Sequence, residues 1–516
     1  MNFPRSSGVL LHPTSLPGRY GIGELGREAF EFLDFLKAAG QSLWQVLPIS
    51  PTGYADSPYQ SFSSFAGNPL LISLDKMAGE GLLDAHTLAG APHFPAGRVD
   101  FGTVIPFKKA RLREAARNFF SHSAAAEREA FEIFRQNNSS WLPDFALFMA
   151  AKDAHEGAVW SEWEPSLAQR RPDAIAAWRE DLALPIAQHE FFQYEFFRQW
   201  SQLKWRCGEL GIQLMGDVPI YVAHDSADVW AHPEFFSLDA KCRPQAVAGV
   251  PPDYFSATGQ LWGNPVYRWD RLAADGYKWW IERMRAAFSL YDIVRLDHFR
   301  GFEAFWEIPA GETTAIHGHW VKGPGAEFFT VLREALGERP IVAENLGVIT
   351  PEVESLRQQF GMPGMAIAQF AFGKDMRAPA FRPHNYIRDL VVYTGTHDND
   401  TICGWWHSGA EGSTRTEEEV QHEKDATAAY FGVSRRLLDE EVNWIFIRQV
   451  MMTIASTVIF PVQDLLGLGG EARMNLPGTT NGNWQWRMHP GALTARLAGK
   501  LKELVRLYDR GGQPQG

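Results

Sequence analysis

Eight short apolar runs punctuate the chain, and most give way to polar or turn-forming residues. They are GVLLH (8–12), LWQVLPI (43–49), IQLMGDVPI (212–220), DIVRLDHF (292–299), PIVAENL (340–346), MAIAQFAF (365–372), DLVVYTGTH (389–397) and TVIFPVQDLL (457–466). Near-continuous apolar runs of this length suit parallel strands buried on both faces. Amphipathic stretches precede several of them. In 24–39, Leu25, Ala29, Phe32, Leu33, Leu36 and Ala39 fall on one helical stripe, and Gly40 supplies a stop. Segments 277–290 and 442–456 read the same way. Strand number and alternation with helices predict a (β/α)8 barrel, a single unit over 1–516.

The spacing is uneven. Roughly 160 residues separate the second and third runs, far more than a plain crossover needs. Stretches 108–136, 141–154 and 190–210 look helical, which predicts a largely helical insertion over approximately 70–205. Residues 224–275 lack periodicity and are rich in Pro, Gly and aromatics. They are expected to form a long loop above the barrel, and long loops in compact domains are often functional. About fifty residues follow the eighth run, too few for a separate C-terminal β-domain. The tail RGGQPQG (510–516) is expected to fray.

Composition narrows the partners. The chain carries 61 acidic and 49 basic residues, a net charge of −12, which argues against nucleic acid or an anionic membrane. No run of about 18 apolar residues predicts a membrane span. The N-terminus has no long apolar segment of the signal-peptide kind. Three cysteines, Cys207, Cys242 and Cys403, are far apart, and one must stay unpaired, so a reducing, cytoplasmic setting is expected. The 19 Trp and 35 Phe suit a large core and also suit sugar faces. No glycine-rich phosphate loop follows the first strand, which weighs against a nicotinamide oxidoreductase. His317 and His319 lack a third ligand at metal-site spacing.

Candidate chemistry lies in three carboxylates at strand ends, where such barrels carry their active sites. Asp297 follows Arg295 by two residues, on the same face of a strand. A guanidinium there favours the charged carboxylate that a nucleophile requires, although a structural Arg–Asp pair would read the same way. Glu344 follows Ile341-Val342-Ala343, and an apolar approach favours the protonated form a general acid needs. A helix-capping role for Glu344 is weakened because Thr350-Pro351 is a better helix start. Thr396 to Thr401 (THDNDT) gathers polar groups that are costly to bury without a ligand or mutual hydrogen bonds. Two acids of this kind serve a retaining glycosidic reaction when about 5–5.5 Å apart.

LLHPTSLPGRYGIGELG, SPYQSFSSFAGNP, GDVPIYVAHDSADVW, GVPPDYFSATGQLWGNPVY, VRLDHFRGF, AENLG, PGMAIAQFAF and GTHDNDT occur in that order across essentially the whole chain. Together they resemble the 4-α-glucanotransferases of glycoside hydrolase family 77, in the α-amylase clan. The resemblance implies Asp297 as nucleophile, Glu344 as general acid/base and Asp398 as transition-state stabiliser. It also implies Arg295, His298 and His397 as their partners, Asp217 on the third strand, Tyr59 as an aromatic platform, and Gln260 and Trp262 in a substrate-covering loop. Malto-oligosaccharides and starch- or glycogen-derived glucans would be donors, glucose an acceptor, with no cofactor or metal. Asn345 stands where the family more often has Asp. A retaining α-glucan hydrolase with the same acids and a non-catalytic glucan-binding barrel are the alternatives; the latter expects a lost acid, yet all three are present. NGNWQWR (481–487) has the look of a sugar-stacking patch or a barrel-closing segment.

Overall fold

The computed structural model describes residues 3–252, 256–375, 377–410 and 415–512. Twelve strands occur among them. They are β1 (Ser6–Leu10), β2 (Leu43–Gln45), β3 (Gln213–Val218), β4 (Ala246–Val250), β5 (Gln260–Pro265), β6 (Ile293–Leu296), β7 (Ala304–Pro309), β8 (His319–Lys322), β9 (Ile341–Ala343), β10 (Gly364–Ile367), β11 (Leu390–Tyr393) and β12 (Thr457–Pro461). Eight of these form one parallel sheet in the order β10-β11-β12-β1-β2-β3-β6-β9. The sheet curls round on itself. Across the β9–β10 seam, the Ala343 N–H donates to the Pro363 carbonyl at 2.9 Å. This is a (β/α)8 barrel, and each of its strands overlaps one of the eight apolar runs, with β1 starting two residues and β10 one residue ahead of its run.

Strand alternation explains why those runs are apolar throughout. Leu10, Leu43, Met215, Ile293, Val342, Met365, Val391 and Ile459 belong to one buried cluster inside the barrel. Their neighbours Val9, Trp44, Leu214, Val294, Ala343, Ala366, Val392 and Val458 belong to the cluster beneath the surrounding helices. Moving up by two residues from the inner layer reaches the chemistry: Met215 leads to Asp217, Ile293 to Arg295 and Asp297, and Val342 to Glu344.

Helix Arg27–Ala38 buries Ala29, Phe32, Leu33, Phe35 and Leu36, and the chain turns at Gly40 with φ +70°. The other two amphipathic stretches correspond to helices Lys278–Leu290 and Arg435–Met452. Between β2 and β3 the long helices are Phe101–His122, Ala125–Asn137, Leu142–Ala154 and Ala183–Leu210. The last of these returns to the barrel, where the Trp200 indole donates to the Leu290 carbonyl at 3.0 Å.

Three expectations need correction. Residues 224–275 are not one irregular loop: they contain β4 and β5, which join β7 and β8 in an antiparallel sheet ordered β5-β4-β7-β8. Short strands with a register irregularity between Val247 and Gly249 left no clean alternation to read. Residues 253–255 of that stretch lie outside the described residues. Several strands are shorter than their apolar runs. Ala368–Phe372 is a 3-10 turn and Val462–Leu466 a helix, because apolar continuity alone does not separate strand from helix. Finally, the start of the tail is anchored. Arg510 is fully buried and donates to the carbonyls of Met451, Thr453 and Ser6, while Gly511 bridges to Ser6. Residues 513–516 lie outside the described residues.

Candidate active site

The C-terminal ends of β3, β6 and β9, with the loops after β2 and β11, bring the candidate side chains together. Arg295 is at the centre and is 5% exposed. Its Nη1 donates to both carboxylate oxygens of Asp217, at 2.8 and 2.7 Å, and its Nη2 lies 2.9 Å from Asp297 Oδ1. Burial opposes the guanidinium charge, but these carboxylates outweigh it and hold Arg295 well above its ordinary pKa. Asp217 is buried on the inner face of the barrel, whereas the Asp297 side chain remains 28% exposed. One guanidinium thus fixes two acids and leaves the outer one reachable from solvent.

Glu344 sits in a different environment. The residue is 8% exposed, with Oε2 accepting from His298 N at 2.9 Å and Oε1 from Leu346 N at 2.6 Å. Burial pushes its carboxyl up to about 7. Arg295 opposes the shift, the charge of Asp297 adds to it, and the two N–H bonds oppose it. The two carboxyls on adjacent strands thus have different settings: Asp297 is ion-paired to Arg295, and Glu344 is buried with its pKa raised to about 7.

On the opposite wall, His397 Nε2 lies 3.3 Å from Asp398 Oδ2, and its Nδ1 lies 3.4 Å from the Tyr59 hydroxyl. The rings of Tyr59 and His397 stack at 5.0 Å. Tyr59 donates to Asp217 Oδ2 at 2.7 Å, which leaves its oxygen free to accept from His397. Burial works against the His397 charge, but Asp398 prevails and raises its pKa. Asp398 is held at about 2: burial favours its neutral form, but His397 and the Asn475 hydrogen bond outweigh that. His298, next to Asp297, adopts φ +49° and packs edge-on against Trp262 at 4.8 Å. Burial lowers its pKa to about 4, so it is neutral at pH 7. Trp262 Nε1 donates to Gln260 Oε1 at 3.1 Å, placing the Gln260–Trp262 pair at the mouth of the site.

All ten candidate residues lie in or against this one cluster. Sequence reasoning missed its outer support. Asn475 Nδ2 donates to Asp398 Oδ1 at 2.6 Å, its N–H donates to the His397 carbonyl at 3.0 Å, and Arg473 donates to the Asp398 carbonyl at 2.6 Å. Both residues lie in an irregular segment with no periodic signal. Trp484, from the NGNWQWR stretch, is 5% exposed and packs 5.8 Å from Tyr59 and 5.9 Å from His397. Asn345 donates to Glu354 Oε1 at 2.6 Å and accepts from Met365 N at 2.8 Å, a pairing that an Asp at this position could not make with Glu354. His319 lies 3.7 Å from Glu307 across β7 and β8, and among the described residues no three His, Cys, Asp or Glu gather as metal ligands.

Asn475→Asp would set a second carboxylate against Asp398. The expected result is a rise in the Asp398 pKa, seen as the acid limb of a kcat/KM profile moving up by about one pH unit.

Known proteins resemble this chain in sequence and in fold. The family described as glycoside hydrolase family 77, 4-alpha-glucanotransferase, matches residues 11–494. A 4-alpha-glucanotransferase of Thermus thermophilus is 51% identical over 99% of this chain and 100% of its own. One from Synechocystis sp. is 50% identical over 98% of each. Among solved structures, an amylomaltase from Streptococcus agalactiae in complex with acarbose superposes with a TM-score of 0.92 at 40% identity, covering 98% of this chain and 99% of its own. The chain belongs to glycoside hydrolase family 77, the 4-alpha-glucanotransferases.

Proposed function

We propose that this enzyme moves a segment of an α-1,4-glucan to the 4-hydroxyl of an acceptor glucan or glucose by double displacement. One observation carries the reading: on neighbouring strand ends, Asp297 is ion-paired to Arg295 while Glu344 is buried with its pKa raised to about 7. A retaining reaction needs this division between nucleophile and acid/base.

Asp297 Oδ attacks the anomeric carbon. The bond to the leaving 4-oxygen breaks, and that oxygen takes the proton from Glu344. A glycosyl ester of Asp297 forms with inverted configuration. The acceptor's 4-hydroxyl then gives its proton to Glu344 and attacks the same carbon, and the ester bond breaks. Two inversions give net retention. Neutralising Asp297 in the ester removes a charge that had raised the Glu344 pKa, which favours Glu344 as base in the second step. Asp398, ionised and gripped by His397 and Asn475, stabilises the oxocarbenium-like states. Tyr59 supplies a platform for the sugar being transferred. No cofactor enters these steps.

The donors proposed are malto-oligosaccharides and starch- or glycogen-derived glucans, a reading supported by the acarbose held by the Streptococcus relative. No helix of the described residues is long and apolar enough to cross a membrane. The free thiols Cys207, Cys242 and Cys403 fit a cytoplasmic setting.

Incubation with maltotriose tests the reading. A ladder of shorter and longer oligomers at constant total reducing ends is expected, whereas rising reducing ends without longer products would mean hydrolysis. Transfer over hydrolysis depends on keeping water from the ester. Trp262, resting on His298, is assigned to that task. Trp262→Ala should raise the hydrolysis-to-transfer ratio about tenfold, the size of effect expected when about 1.4 kcal/mol of discrimination is lost. An unchanged ratio removes Trp262 from the role.

A further inference from the structure

Both carboxyl oxygens of Glu344 are held by backbone N–H groups, and the donors belong to two different segments. Oε2 is held by His298, in the turn after Asp297, and Oε1 by Leu346, in the loop after β9. Two residues beyond each donor, the same segments are joined again: Arg300 Nη1 donates to the carbonyl of Val348. The Phe299 N–H adds a bond to the Glu344 carbonyl at 3.1 Å. His298, Arg300, Val348 and Leu346 thus form a closed frame around the Glu344 carboxyl.

Little else holds the far corner of this frame. Asn345 anchors the start of the loop through Glu354 and Met365. Beyond it, Leu346 and Ile349 are partly buried against the core, but between them Gly347 turns at φ +85° and Val348 is 45% exposed, so apolar burial does not fix the corner itself. Arg300 itself is 6% exposed. Its neighbour Glu303 is paired with Lys322, and among the described residues Arg300 forms no ion pair of its own. The charges of Glu303 and Glu352 offset only part of the cost of burying this guanidinium, whose hydrogen bond goes to the Val348 carbonyl. Its Cζ lies over the Trp320 ring, 3.7 Å from the centroid, and Trp320 meets Trp306, its cross-strand partner, at 5.1 Å. A flat fork that stacks and donates at once is a property of Arg that Lys lacks.

We propose that Arg300, supported by Trp320, is a positioning residue that aims the Glu344 carboxyl at the glycosidic oxygen. The proposal rests on the acid/base role given to Glu344 above.

The test separates proton transfer from nucleophilic attack. Fluoride leaves α-maltosyl fluoride without needing a proton, so its initial burst reports Asp297 and the fold, whereas transfer from maltotriose also needs Glu344. Arg300→Ala should lower kcat for maltotriose transfer roughly 50-fold, with KM within about threefold and the fluoride burst within about threefold of the parent enzyme. Arg300→Lys should fall between the two. Trp320→Leu should show the same pattern more weakly, and it decides the matter if Arg300→Ala does not fold. Parallel loss of burst and transfer would overturn the proposal, since Arg300 would then be holding the whole turn. Unchanged transfer would overturn it as well. Glu344→Gln is the reference: if it too loses the burst, the acid/base assignment fails rather than the role of Arg300.

Discussion

Replacing Asp297 with asparagine lowers kcat for maltotriose transfer by about 10⁴-fold or more, the scale seen when a covalent nucleophile is removed. The amide cannot form the glycosyl ester, and among the described residues no second carboxylate is placed to take over. Asp217 is buried beneath Arg295, and Asp398 is bound to His397 and Asn475. The fold should survive, because Arg295 keeps both bonds to Asp217 and Asp297 is already partly solvated. Glucan affinity should change by less than about threefold, since the substitution is nearly isosteric and removes an interaction made in the reaction rather than in binding. Retained turnover would take the nucleophile's role from Asp297.

Glu344→Gln has the next largest effect, a fall of about 10³-fold with maltotriose, within the range general acid–base catalysis contributes. Here the pH dependence is informative. The first step uses the protonated acid, whose pKa is raised to about 7 by burial in the folded enzyme. The parent kcat/KM should therefore be full below that value and decline as pH rises through about 7. Glutamine does not titrate, so this basic limb should disappear from the residual activity. A limb that persists in the variant belongs to another group, and His397, whose pKa is also raised, would be the next to examine.

The barrel was legible because its strands are buried on both faces, so that inner residues such as Met215 and outer ones such as Leu214 are apolar alike. The acids were legible because alternation carries Ile293 to Arg295 and Asp297, and Val342 to Glu344, at the mouth of the barrel. The antiparallel sheet of β4, β5, β7 and β8 was not. Its strands are interrupted by glycine and a register shift, and their ends are partly exposed, so neither period shows. The clamp on Asp398 could not be read either. Arg473 and Asn475 lie more than seventy residues away in an irregular segment, and only the fold brings them together. Arg300 was visible inside a quoted motif, yet its contacts to Val348 and Trp320 follow no local spacing. Arg510 shows the converse: a polar, glycine-rich tail reads as loose, while one buried guanidinium fastens its start to the bottom of the barrel.

The covalent intermediate is the account's central claim, and trapping it is the most direct measurement. Glu344→Gln incubated with α-maltosyl fluoride should form the ester and discharge it slowly, because no base activates the acceptor. Acid quenching followed by peptide mass mapping should find a maltosyl adduct on the peptide carrying Asp297. An adduct on another residue, or steady fluoride release with no adduct at all, would contradict double displacement through Asp297.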